Sequence, residues 1–190
     1  ITPDFKSTPY WWEAAPRLKL TELPLPRETE VAVVGAGFAG LSAALTLARA
    51  GRQVHVLEAA QPGFGASTRN SGFIGGHLRT KFAPLAAQYG LDRAVAMVRT
   101  GLAAHDYLAS LLEREQIACG FVRCGRFVAA HAPSAYEALA RELDATRTHV
   151  GIEGHMVPRA NQGSELGSDL YHGGMVFPHS GSLHPGLYHA

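Results

Sequence analysis

Cysteine is scarce in this chain of 190 residues: Cys119 and Cys124 are the only two. A single C-x4-C pair offers too few ligands for a zinc site. Reduced, structural thiols fit a cytoplasmic protein, which is the expected location. Surplus charge is missing as well. Lys and Arg total 17 against 16 Asp and Glu, a formal net charge of +1, so no basic stripe points to nucleic acid. No run of about 18 apolar residues suggests a membrane span, and no secretory leader is expected. Internal repeats and low-complexity tracts are lacking too. The length suits one domain or one and a half.

Glycine is what the chain has, and two segments concentrate it. The first follows a short apolar, β-branched run, EVAVV at Glu30–Val34, which suits a buried parallel strand. Gly35-Ala36-Gly37-Phe38-Ala39-Gly40 comes next, then leucines and alanines near helical spacing up to Gly51, and a second apolar strand over Gln53–Leu57. Gly35 permits the tight turn, Gly37 lets backbone approach a pyrophosphate, and Gly40 lets the helix pack close to the strand. The helix start offers free N–H groups and partial positive charge to phosphates. Glu58, directly after the second strand, is placed to bond a ribose hydroxyl and to repel a 2′-phosphate, which argues against NADP. Strand, loop, helix, strand and acid arrive in register, and together they predict dinucleotide binding. This fingerprint alone does not separate NAD from FAD.

The second segment is GFGASTRNSGFIGGH, from Gly63 to His77. Small residues alternate with Ser67, Thr68, Arg69, Asn70 and Ser71. Such a stretch can run close along a ligand, with hydroxyl, amide and backbone N–H groups facing it. FAD carries a ribityl chain and a three-ring flavin beyond the ADP half, so it needs a second cradle where NAD does not.

The run VAVVGAGFAGLSAALTLARAGRQVHVLEA followed by GFGASTRNSGFI resembles the N-terminal part of the FAD-dependent D-amino-acid oxidase superfamily, which includes glycine and sarcosine oxidases. The aromatic leader TPYWWEAAP and the G-A-S-x-R-N-x-G pattern at Gly65–Gly72 are most similar to the γ-glutamylputrescine oxidase branch. ELGSDLYHGGMVFPHSGSLHP, Glu165–Pro185, resembles the family's segment before its next helix. The resemblance implies an α/β fold: a Rossmann-like FAD-binding βαβ unit followed by the beginning of an α+β substrate domain. It implies that Gly35, Ala36, Gly37, Phe38, Ala39 and Gly40 take the ADP pyrophosphate, with Glu58 and Ala59 at the ribose. Gly65, Ala66, Ser67, Thr68, Arg69 and Asn70 would line the second phosphate and ribityl region. Gly72, Phe73 and Ile74 would pass near the flavin ring. The implied reaction takes hydride from a C–H beside an amine nitrogen, and the resulting imine hydrolyses.

The expected organisation is a leader over 1–30, an FAD-binding part with following helices over 31–117, and the first part of a substrate domain over 118–190. LPLPRETE, Leu23–Glu30, reads as an extended approach to the first strand. Phe82–Gln116 is helical in character, with Val95, Val98, Leu102, His105, Ala109 and Leu112 on one face and Gly90 and Gly101 as possible breaks. FVRCGRFVAA, Phe121–Ala130, reads as a strand, Pro133 opens a helix to about Val150, and Met156–Ala160 and Gly174–Phe177 read as short strands. Trp11 and Trp12 are expected to be packing anchors. His172, His179, His184 and His189 lack the i, i+4 pairing of a helical zinc site, so no metal is expected. His77, just after the second segment, is expected to be a structural histidine, with a place at the flavin or substrate as the alternative.

No catalytic base can be assigned. The chain stops at HPGLYHA as a new helix begins, so it is expected to be an N-terminal part, truncated and inactive alone, with the missing C-terminal half as a separate chain among the candidate partners. The rival readings are an NAD-dependent dehydrogenase and a non-catalytic nucleotide-binding fragment or subunit. The substrate expected is a small amine or amino acid.

Overall fold

The structure is a computed structural model that describes residues 2–15, 20 and 24–190. Parts of the leader, including Pro16 and Leu23, lie outside the described residues. In chain order the elements are β1 (Val31–Val34), α1 (Phe38–Arg49), β2 (Val54–Leu57), β3 (Phe73–Gly75), α2 (Phe82–Tyr89), α3 (Leu91–Arg114), β4 (Arg126–Ala129), α4 (Pro133–Val150), β5 (His155–Val157), β6 (Gly174–Phe177), β7 (Ser180–Ser182) and α5 (Pro185–His189). Short 3-10 turns form at Tyr10–Glu13, Ala66–Thr68 and Arg159–Ser164.

Two compact units share these elements. The first takes residues 1–72, 117–120 and 183–190; the second takes 73–116 and 121–182. This cut by compactness interleaves along the chain, unlike the continuous segments 31–117 and 118–190 drawn from sequence.

In the first unit, β1 and β2 pair in parallel from Val31↔Val54 to Val34↔Leu57, with α1 as the crossover. Alanine and leucine suit the helix. Past its end, Gly51 takes a left-handed φ of 78°. An added Cβ on Gly40 would run into Gly35 O and come within 3.3 Å of Val33 Cγ1, so only glycine lets α1 sit this close to β1. The strand is not buried as expected. Val31 and Val33 are half-buried, but Ala32 is exposed and Val34 is 86% exposed. Residues two apart share a face, and α1 covers only the Val33 face.

In the second unit, α2, α3 and α4 accompany a three-stranded antiparallel sheet in the order β4-β6-β5. Phe82, Leu85, Ala94, Val98, Leu143, Ile152, Met175 and Phe177 form its core. The helical stretch divides at Gly90, one of the two expected break points, whose φ of 83° ends α2 and starts α3. Gly101 does not break α3. It lies where the helix meets the loop after β3, and an added Cβ there would meet Gly76 O. The buried face of α3 carries Ala94, Val98, His105, Ala109 and Leu112, with Val95 and Leu102 half-buried beside it. The expected strand Phe121–Ala130 shortens to β4 because Gly125, at φ 68°, turns the chain; before it, Val122 makes only an isolated bridge to Ser182. Likewise β5 stops before Pro158, which has no N–H to offer a ladder. α4 runs as expected, with Pro133 in its first turn and Gly151 at φ 82° after its end. A separate antiparallel pair, β3 with β7, was not expected: Phe73↔Ser182, Ile74↔Gly181 and Gly75↔Ser180.

Candidate functional site

The chain leaves β1 at Gly35, whose φ of 99° only glycine adopts freely. Its N–H donates to Leu57 O at 2.7 Å, tying the turn to the end of β2. The next N–H, from buried Ala36, donates to Glu58 Oε2 at 2.8 Å, and Ala60 N–H donates to Oε1 at 3.1 Å. Those bonds, the one from Ala36 first, hold the Glu58 carboxyl below its usual range. The acid that closes β2 is therefore an exposed carboxylate fixed to the glycine loop.

Gly37 caps α1 in an extended conformation and has no side chain to satisfy the helix start. Phe38 N–H donates to Ser67 Oγ at 3.0 Å, and Leu41 N–H to Gly37 O at 2.9 Å. The Ala39 and Gly40 amides lie in the first turn, whose N–H groups have no acceptor within the helix. Two amides, the positive end of a 12-residue helix and a glycine with no Cβ make a seat for a diphosphate. These features fit the ADP half of FAD.

The second segment folds back on the same unit. Ser67 is the side chain that reaches the start of α1. Its neighbours serve the loop. Thr68 is fully buried and its hydroxyl donates to Gly63 O at 2.5 Å. Arg69 donates from Nε to Phe64 O at 2.7 Å and from Nη2 to Ser7 O at 2.8 Å, with its guanidinium 4.4 Å from the Phe64 ring centre. Asn70 donates to Ala66 O and Ser67 O, and its Oδ1 accepts from Gly72 N–H at 2.9 Å. Gly65 and Ala66 are exposed. Gly72 is buried at φ 74° and receives Leu183 N–H on its carbonyl at 3.0 Å. So the structure brings Gly35–Gly40, Glu58 and Ser67 together and spends the polar groups of Thr68 and Asn70 within the loop. Phe73 and Ile74 belong to the second unit, in β3; Phe73 is exposed and Ile74 half-buried.

One participant at the loop was not expected. His189 Nε2 lies 2.7 Å from Ala36 O, which also accepts from Gly63 N–H at 3.1 Å. Its ring sits where a Cβ on Gly63 would be, and Tyr188 tilts against Phe38 with ring centres 4.7 Å apart. Nothing local in HPGLYHA signals this, because the contact spans 153 positions.

In the second unit, His77 is half-buried, with Nε2 3.3 Å from Ser180 Oγ and its ring edge-on to Phe177. Burial, with smaller contributions from Arg126, His179 and His105, pushes its pKa down to about 4. Above pH 6.5 the ring is neutral in folded and unfolded chains alike. As pH falls below 6.5 the unfolded chain takes up a proton that the native one does not, so stability falls until the native ring titrates near 4. His77→Gln should flatten that decline. Urea midpoints at pH 7.5, 5.5 and 4.5 read it, and parallel profiles for both proteins would refute it.

Among the described residues, no three His, Cys, Asp or Glu side chains are arranged to hold a metal, and no helix is long and apolar enough to cross a membrane.

A family model described as FAD dependent oxidoreductase (DAO) matches residues 30–190. The chain is 31% identical over 156 residues to the gamma-glutamylputrescine oxidoreductase of Escherichia coli (strain K12), covering 82% of this chain and 36% of that protein. It is 30% identical over 179 residues to a probable oxidoreductase OrdL of Rhizobium meliloti (strain 1021), covering 92% and 41%. Among solved structures it is similar to glycine oxidase from Geobacillus kaustophilus, with a TM-score of 0.62, 23% identity, and 84% and 43% of the two chains covered. An L-amino acid deaminase from Proteus vulgaris aligns with a TM-score of 0.70 and 18% identity, over 99% of this chain and 45% of that one. These two structural likenesses show a shared fold. The chain spans less than half the length of each of these relatives.

Proposed function

Because the chain belongs to the family of FAD-dependent oxidoreductases, we propose that its two glycine-rich segments hold FAD by the ADP half and that the whole protein oxidises an amine or amino acid. FAD is the cofactor of this family, which resolves the choice between NAD and FAD that the fingerprint left open. The observation that carries the site is the meeting of Glu58, the uncapped start of α1 and Ser67 around one glycine loop. In this reading the Ala39 and Gly40 amides receive the pyrophosphate, and Ser67 closes the seat from the side. Glu58, charged and held by Ala36 N–H, keeps a lone pair for a ribose hydroxyl. Gly65, Ala66, Thr68, Arg69, Asn70 and Gly72 shape the loop that presents Ser67, and Phe73 and Ile74 follow toward the flavin ring.

When bound, the flavin supplies the acceptor for a hydride from the carbon beside the amine nitrogen. The likeness to a gamma-glutamylputrescine oxidoreductase supports an amine as substrate class. The first unit is the cofactor side in this reading and the second unit the substrate side.

The direct test is to purify the whole protein, release its cofactor with acid and record spectrum and mass. A colourless protein that takes up no FAD would refute the reading. Glu58→Ala tests the ribose contact. A hydrogen bond to a charged group contributes about 1.5–3 kcal/mol, so the Kd for FAD should rise roughly tenfold to a hundredfold. An unchanged Kd in a titration of FAD-free protein would move the ribose partner elsewhere.

A further inference from the structure

The leader ahead of β1 takes no part in the reading above, yet it is bound to the second glycine segment from far away in sequence. Trp11 Nε1 donates to Asn70 O at 2.7 Å, and Ser7 O accepts from Arg69 Nη2. The Trp11 ring stands edge-on to His184, with centres 4.7 Å apart. A cavity of about 270 Å³ lies between leader and loop, lined by Thr8, Pro9, Tyr10 and Thr68 and by the bonding residues Trp11, Arg69 and Asn70 themselves. Hydrogen bonds from Trp11 and Arg69 couple the two at this cavity, and the buried Pro9 and the Trp12 ring beside Phe64 add packing.

The bond to Asn70 reaches the nucleotide helix in two further steps. Asn70 Nδ2 donates to Ser67 O at 2.9 Å while its Oδ1 holds Gly72 N–H. Ser67 Oγ accepts Phe38 N–H in the first turn of α1. Trp11, Asn70, Ser67 and Phe38 form one continuous path.

We propose that the leader is a strap and that Trp11 is a positioning residue for the cofactor seat, acting through Asn70 to hold Ser67 at the start of α1. The consequence for FAD rests on the proposed function; the coupling of leader to loop does not. Coupling of this kind is reciprocal: a leader that favours the seat is itself fastened when the seat is filled.

The test uses the full chain. Trp11→Phe keeps an aromatic ring and removes the donor. In FAD-free protein the amides of Gly72 and Phe38 should then exchange faster with solvent. The Kd for FAD should rise about fivefold, the effect of one neutral hydrogen bond. In a Ser67→Ala background the same substitution should add little, because both act on one path. In the wild type, needing no variant, saturating FAD should slow tryptic cleavage after Lys6 by a similar factor. Unchanged exchange at Gly72 and Phe38 would overturn the strap, as would effects of Trp11→Phe and Ser67→Ala that simply multiply, or cleavage after Lys6 indifferent to FAD. If wild-type protein takes up no FAD, the cofactor reading falls and the exchange measurement alone decides the strap.

Discussion

Replacing Gly37 with valine should leave a folded protein that no longer retains FAD. Gly37 sits at φ −89° and ψ −177°, an extended conformation that a β-branched residue adopts readily, so the backbone is not strained. Its new Cβ would lie 2.8 Å from Ser67 Oγ, and two methyl groups beyond it would occupy the space beside the first-turn amides. The proposed phosphate seat would lose both its depth and its Ser67 wall. Each charge-assisted hydrogen bond contributes about 1.5–3 kcal/mol, and losing two raises Kd by roughly two to four powers of ten. Flavin content per protein and the melting temperature of the FAD-free form separate binding from folding. Equal flavin content in wild type and variant would sink the prediction.

The largest loss of stability is expected at a position without contact to the glycine loop. Glycine inside an exposed helix costs about 0.5–1 kcal/mol relative to alanine, so a substitution at Gly101 in α3 would ordinarily help. Here an added Cβ meets Gly76 O, and the same atom on Gly76 would lie 2.7 Å from Leu102 Cα. Both obstacles are backbone, which cannot swing aside as a side-chain tip can. Overpacking of this kind costs roughly 1–3 kcal/mol, and Gly101→Val, with its two extra methyl groups, should reach about 3 kcal/mol, a large share of a domain's stability. The urea midpoint should fall with the slope unchanged. A midpoint at or above the wild-type value would contradict the prediction.

Elements whose signals are local were legible from the sequence. Alanine-rich α1 with Gly51 beyond it, α4 between Pro133 and Gly151, and β6 each lie where the pattern placed them. The strands β3 and β7 were not legible, because FIG and SGS are three residues long and find each other across more than a hundred positions. Burial of β1 was misjudged for a related reason. The run VAVV reports a strand, but whether one or both faces are covered depends on what packs against it. At the site, the strand, glycine loop, helix and acid expected in register are tied together in the structure by the bond from Ala36 N–H to Glu58. The second segment shows the limit of composition. Thr68 and Asn70 carry the hydrogen-bonding groups a ligand would use, and the same groups can fold the loop on itself. Only geometry distinguishes inward from outward.

The interleaving of the two units has a consequence for the order of folding. The second unit is nearly continuous, and its helices α2 and α3 are joined at a single glycine, so much of it can form from neighbours along the chain. The first unit cannot. Its parts, residues 1–72, 117–120 and 183–190, are separated by long stretches, and the bond from Leu183 N–H to Gly72 O closes a loop over nearly the whole second unit. Loop closure costs entropy that grows slowly with length, and pairing of β3 with β7 meets that cost by bringing Phe73 and Ser182 side by side. During synthesis, then, the first glycine loop waits for the whole second unit to emerge before His189 can reach Ala36.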